Sequence, residues 1–178
     1  MQISFLYVII STTYKNTGNS SMKNCCFTGH RAISDNNLSL HIELEAVLCR
    51  LIENGVTYFY AGGAIGWDTL CCLTLCILRK RYPDITLNLI LPCAAEQQCL
   101  KWSEQQKRQF FTILSHADNV EYIGEQYYNG CMKARNQRLV DNADICVCYY
   151  NTKNFRSGTG QTVRMAERKN IRIINLWK

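Results

Sequence analysis

The sequence has no apolar run long enough to cross a bilayer, no CxxC pair and no clustered basic stripe. Its N-terminal apolar run, Ile3 to Ile10, is too short to span. No Lys or Arg precedes that run, so it makes a poor signal peptide. No cysteine and histidine have zinc-site spacing, and no metal site is expected. The 11 cysteines are odd in number and scattered, which argues against a disulfide framework and for a reducing cytoplasm. Five sit in apolar runs (Cys71, Cys72, Cys76, Cys146, Cys148), where a thiol acts as a small buried hydrophobe. The formal charge is +6, but the basic residues are dispersed. Arg79, Lys80 and Arg81 end one helical run, and Arg164, Arg168 and Lys169 lie on another. That pattern disfavours a nucleic-acid surface and suits a small anionic ligand.

No internal repeat or long linker divides the chain. Residues 1–21 differ from the rest, ending in the polar stretch Asn16 to Ser21 before Met22 opens a clean strand. We read 1–21 as a non-native or disordered N-terminal extension and 22–178 as one domain. A weak signal sequence or an added edge element are the alternatives.

What is present is alternation. Strand-like runs at Asn24–Thr28, Val56–Tyr60, Ile85–Leu91, Asn119–Ile123, Asp144–Tyr150 and Ile171–Leu176 alternate with helix-like runs. The spacing predicts helices over Leu38–Glu53, Thr69–Tyr82, Gln98–Ser115, Met132–Asn142 and Gln161–Lys169. The second is apolar nearly all round and is expected to be well buried. Six strands and five helices predict an α/β fold, a doubly wound, mostly parallel sheet with helices on both faces. Right-handed crossovers bring every strand-to-helix turn to one edge, where such sheets bind ligands. The candidate site is therefore Thr28 to Arg31, Gly62 to Asp68, Pro92 to Gln97, the segment before Arg135 and Asn136, and Ser157 to Thr162.

At these residues the chain resembles the YpsA-like branch of the SLOG superfamily, Rossmann-like proteins related to the DNA-processing protein DprA and the LOG phosphoribohydrolases. The matching stretches are Cys26 to Arg31, Gly62 to Asp68, Leu91 to Cys93 with Glu96, Gln97 and Trp102, Gly130 to Asn136, Val140 to Asp144, and Ser157 to Thr159 with Thr162 and Val163. The resemblance implies a cytoplasmic protein with a pocket for a nucleotide or an NAD-derived ligand such as ADP-ribose, with no cofactor required. It also implies a role in bacterial or phage regulation. The family's late motif often has a glycine pair before Thr, and Ser157 replaces the first glycine here.

Each candidate has a functional and a structural reading. Gly62, Gly63 and Gly66 would let backbone N–H groups wrap a phosphate, or form a packing turn. Ser157, Gly158, Thr159 and Thr162 would form a second cradle, or an ordinary helix cap. Arg31 and Arg135 could clamp phosphate bidentately. Thr28, Gly29, His30, Pro92 and Asn136 complete the binding set. Asp68 and Glu96 could flank a ribose and, with Arg135, hydrolyse its N-glycosidic bond. Asp68 could instead complement its helix dipole. Trp67 suits core packing and Trp102 a pocket roof, and a Cys93–His30 nucleophile pair is conceivable. We favour binding without turnover over N-glycosidic hydrolysis, and both over single-stranded DNA binding. A homodimer follows only by analogy with related proteins.

Overall fold

A computed structural model describes residues 24–33 and 38–178, so the extension read at 1–21 lies outside the described residues. The strands are β1 (Asn24–Gly29), β2 (Tyr58–Ala61), β3 (Thr86–Leu91), β4 (Asn119–Tyr122), β5 (Ile145–Tyr149) and β6 (Arg172–Asn175). They form one sheet in the order β4-β3-β2-β1-β5-β6, and every pairing is parallel. The helices are α1 (Leu38–Glu53), α2 (Trp67–Leu78), α3 (Ala95–Gln98), α4 (Glu104–His116), α5 (Cys131–Asp141) and α6 (Gly158–Arg168). This is the doubly wound, Rossmann-like α/β arrangement that the alternation predicts.

Strand order reverses between β1 and β5, so the crossovers leave on opposite faces there. Side chains alternate between the two cores. Phe27, Phe59, Leu87 and Leu89 pack under α1, α2 and α4. Cys26, Ile90, Cys146 and Cys148 pack under α5 and α6. All 11 cysteines are free thiols.

Two expected helices depart from the sequence reading. The helix expected over 98–115 starts later, at Glu104, as α4, and the separate short helix α3 precedes it. Ser103 accepts from the Gln106 N–H while the Gln106 side chain accepts from the Ser103 N–H, and this capping box restarts the helix. α2 begins at Trp67 and ends at Leu78; Arg79 still has helical backbone angles as its C-cap, and its side chain donates to the His116 carbonyl and pairs with Asp118. Nor is α2 buried all round: Ile77 is 67% exposed. On the other face, Lys169 donates to the carbonyls of Val140, Asp141 and Ala143 and caps the C-terminus of α5.

Candidate functional site

The turn between β2 and α2 does wrap an anion, and the anion is its own. The N–H groups of Gly62 and Ala64 donate to Asp68 Oδ2 at 3.0 and 3.3 Å. Asp68 sits in the first turn of α2 and is 5% exposed. Burial pushes its carboxyl pKa up, while Arg135 and the two N–H donors oppose that rise. The glycines serve this closure and its packing. Gln98 Nε2 donates to the carbonyls of Gly62 and Gly63. Gly66, at φ +80°, leaves no room for a Cβ against the Arg31 backbone, and the Trp67 N–H donates to the His30 carbonyl at 3.2 Å.

Arg135 lies on α5 with 8% of its surface exposed. Its Nη1 is 3.9 Å from Asp68 Oδ2, close enough for charge attraction and too far for a hydrogen bond. Its Nε and Nη1 are buried and lack a hydrogen-bond partner among the described residues. Nη2 has only a long contact, 3.9 Å, to the Met132 sulfur. Burial lowers the guanidinium pKa and the Asp68 carboxylate holds it up. A guanidinium stays charged in a protein, so these are donors of a buried cation left open.

Arg135 faces a cavity of about 410 Å³ at the carboxyl edge of the sheet, beside the point where strand order reverses. Thr28, Gly29, His30 and Arg31 line it from the end of β1. Asp68 lines it from α2, and Asn136 from α5 beside Arg135. Ser157, Gly158 and Thr159 line it from the start of α6. Ser157 Oγ is the N-cap: it accepts from the Gly160 N–H and donates to the Asn154 carbonyl. The N–H groups of Gly158 and Thr159 stand at the first two helical positions, beyond reach of any intrahelical acceptor, at the positive end of an 11-residue helix. His30 Nε2 accepts from the Asn151 N–H at 2.9 Å, which puts the ring proton on Nδ1. Burial lowers the pKa of His30.

Other candidates lie elsewhere. Gly62, Gly63 and Gly66 do not line the cavity: Gly62 packs against Arg135, Gly63 against Leu91 and Phe110, and Gly66 against the Arg31 backbone. Glu96 is exposed on α3 and does not line the cavity; nor does Pro92. Thr162 is fully buried and donates to the Gly158 carbonyl. Trp67 is buried against Tyr149, and Trp102 packs edge-on to Phe110. Cys93 is buried away from the cavity, and the ring nitrogen of His30 is engaged by Asn151. Phe27 and Leu139 line the cavity without having been read as site residues, and Met132 lies in the segment before Arg135. Met132, Arg135, Asn136 and Leu139 fall at i, i+3, i+4 and i+7, one face of α5. Among the described residues no group of three or more His, Cys, Asp or Glu is arranged to hold a metal ion.

Residues 25–176 match the sequence model of the YspA SLOG family. The chain belongs to that family. The SLOG chain is 31% identical over 144 residues to the uncharacterized SPbeta prophage-derived protein YoqJ of Bacillus subtilis, covering 74% of this chain and 82% of that one. It is 27% identical to UPF0398 protein BH1768 of Halalkalibacterium halodurans, over 60% of this chain and 57% of that protein. Among solved structures it resembles TM1055, a structural-genomics target, with a TM-score of 0.50 at 16% identity, over 85% of this chain and 72% of that one. That likeness concerns the fold alone. No helix among the described residues of this SLOG protein is long and apolar enough to cross a membrane.

Proposed function

We propose that the SLOG cavity binds a nucleotide through its phosphate, an ADP-ribose-like or NAD-derived ligand being the expected class, and that it does so without turnover. The observation that carries this reading is Arg135, a buried guanidinium with two unpaired nitrogens, in one cavity with the open N–H groups of an α-helix start. A buried cation with unmade hydrogen bonds is costly, and an anion in the cavity beside it would offset its charge. Arg31, exposed at the rim, adds a second positive charge. The volume falls within the roughly 300–1,000 Å³ of small-molecule sites.

Hydrolysis is disfavoured by the carboxylates. Asp68 already accepts two backbone N–H groups and faces Arg135, so it is poorly free to activate water or accept from a ribose. Glu96 does not reach the cavity wall. A DNA-binding role would need the basic stripe that the sequence lacks.

The test is a thermal-shift panel on the full chain with ADP-ribose, NAD, AMP, single-stranded DNA and ribose, followed by product analysis of any nucleotide that binds. Stabilisation of about 2.7 kcal/mol is expected at 100 times the dissociation constant. The shift should come from phosphate-bearing ligands, not ribose, with no product formed. A shift by DNA alone, or nucleotide cleavage, would overturn the reading.

A further inference from the structure

Three of the turns around the cavity meet at His30. Its N–H donates to the Tyr149 carbonyl, at the end of β5, at 3.1 Å. Its carbonyl accepts from the N–H of Trp67, the first residue of α2, at 3.2 Å. Its side chain makes the third tie, since Nε2 accepts from the Asn151 N–H at 2.9 Å, in the loop between β5 and α6. Any residue but proline would make the two backbone bonds at this position. Only the third depends on the side chain. The ring is held for it: Trp177 stands edge-on, with ring centroids 5.5 Å apart, and Tyr150 lies tilted at 6.1 Å.

Asn151 opens a chain of hydrogen bonds that ends at the phosphate cradle. Its carbonyl accepts from the Asn154 N–H, and the Asn154 carbonyl accepts from both the N–H and the Oγ of Ser157. Ser157 is the N-cap of α6, so its placement sets where the open Gly158 and Thr159 N–H groups stand in the cavity wall. Arg164 Nη1 donates to the Phe155 carbonyl and steadies the same loop from α6.

Nε2 accepts only while the ring is neutral, and a proton there would set one donor against another. Burial disfavours that proton. The groups about the ring are Arg31, next in the chain, and Arg135 and Asp68, which line the same cavity. Lys153 and Arg156 are exposed on the loop, and Lys178, beside Trp177, pairs with Glu43 of α1. Asp68 is the one carboxylate among the lining residues, and it already accepts from Gly62 and Ala64 and faces Arg135.

Resting on the phosphate-binding reading above, we propose that His30 is a positioning residue. Its neutral imidazole holds the β5–α6 loop so that the start of α6 meets the phosphate, and binding weakens as the ring becomes charged. An imidazole touching the phosphate itself would do the opposite and gain affinity for an anion as it charged.

The experiment is isothermal titration of the full chain with ADP-ribose, whose pyrophosphate does not titrate near neutrality, for the wild type, His30→Ala and His30→Gln. Far-UV circular dichroism monitors folding. At neutral pH His30→Ala should bind at least about fivefold more weakly, the scale of one lost hydrogen bond, and His30→Gln should recover most of that loss. Toward about pH 5 the wild type should weaken at least about twofold beyond any loss in His30→Gln. Hydrogen exchange without ligand tests the tie by itself: the Asn151 and Gly160 amides should exchange faster in His30→Ala than in the wild type or His30→Gln. Unchanged exchange, wild-type affinity in a folded His30→Ala, or wild-type affinity that rises toward acid relative to His30→Gln would overturn the proposal. ADP-ribose that fails to bind the wild type would overturn the nucleotide reading instead, and the exchange rates would still decide whether His30 holds the loop.

Discussion

The Arg135 guanidinium occupies the space that a side chain at Gly62 would need: a Cβ placed there falls on its terminal nitrogen. The glycine is therefore required less by its own turn than by an arginine on the opposite face of the sheet. Gly62 does not have positive φ, so alanine meets no backbone strain there. Gly62→Ala should leave the chain folded, displace Arg135, and weaken binding of an ADP-ribose-like ligand by at least about tenfold, or about 1.4 kcal/mol. Isothermal titration beside a thermal melt checks both parts. Retained affinity would show that Arg135 is not the phosphate clamp.

The two carboxylates proposed for catalysis should separate in a stability measurement. Asp68→Ala removes the acceptor of two backbone N–H groups and leaves the Arg135 charge buried without a counter-ion. A loss of about 2–4 kcal/mol is expected in urea denaturation. Glu96→Gln, on an exposed surface, should change stability by less than about 0.5 kcal/mol. Equal effects would contradict a structural role for Asp68.

His30 should make stability depend on pH. Its folded pKa lies below the ordinary 6.5 because burial disfavours the charged ring. Neutral His30 also accepts from the Asn151 N–H, which an imidazolium cannot do. The stabilisation is fully present above the unfolded pKa and is lost as pH falls through the lowered folded value. Melting temperatures of the wild type should therefore decline from neutrality toward pH 5 more steeply than those of His30→Gln, whose amide oxygen accepts the same bond and does not titrate in this range. Parallel curves would show that His30 does not drive the change. Asp68, with its raised pKa, acts with the opposite sign: its charged form costs stability as pH rises through its folded pKa.

Lys169 ties α6 to α5 through three carbonyls at 2.7–3.0 Å. Lys169→Met keeps the apolar stem and removes the ammonium, which should cost about 1–2 kcal/mol. Because α5 carries Arg135, hydrogen exchange should quicken in the last turn of α5 before it does in β1. Unchanged protection in that turn would rule out the cap.

The sheet was legible because its signals are local. Strand-like runs alternate with helix-like runs along the chain, and handedness does the rest. The β1, α5 and α6 contributors to the site were legible for the same reason, since each follows a strand end. The role of Gly62 was not, because the group it makes room for lies on α5, more than 70 residues away. The break between α3 and α4 was readable in principle: Ser103 and Gln106 have capping-box spacing, but they sit inside a run that otherwise continues as helix. The apolar helix α2 suggested complete burial because hydrophobicity counts apolar residues without knowing how many neighbours the layer supplies. Here α1 and α4 cover its sides and leave Ile77 outside.

The most direct test of the central claim is a crystal structure of the full chain grown with ADP-ribose. The account predicts a phosphate within hydrogen-bond distance of the Arg135 guanidinium and of the Gly158 or Thr159 N–H, with Asp68 still held by Gly62 and Ala64. A phosphate bound elsewhere, or an empty cavity at saturating ligand, would contradict it.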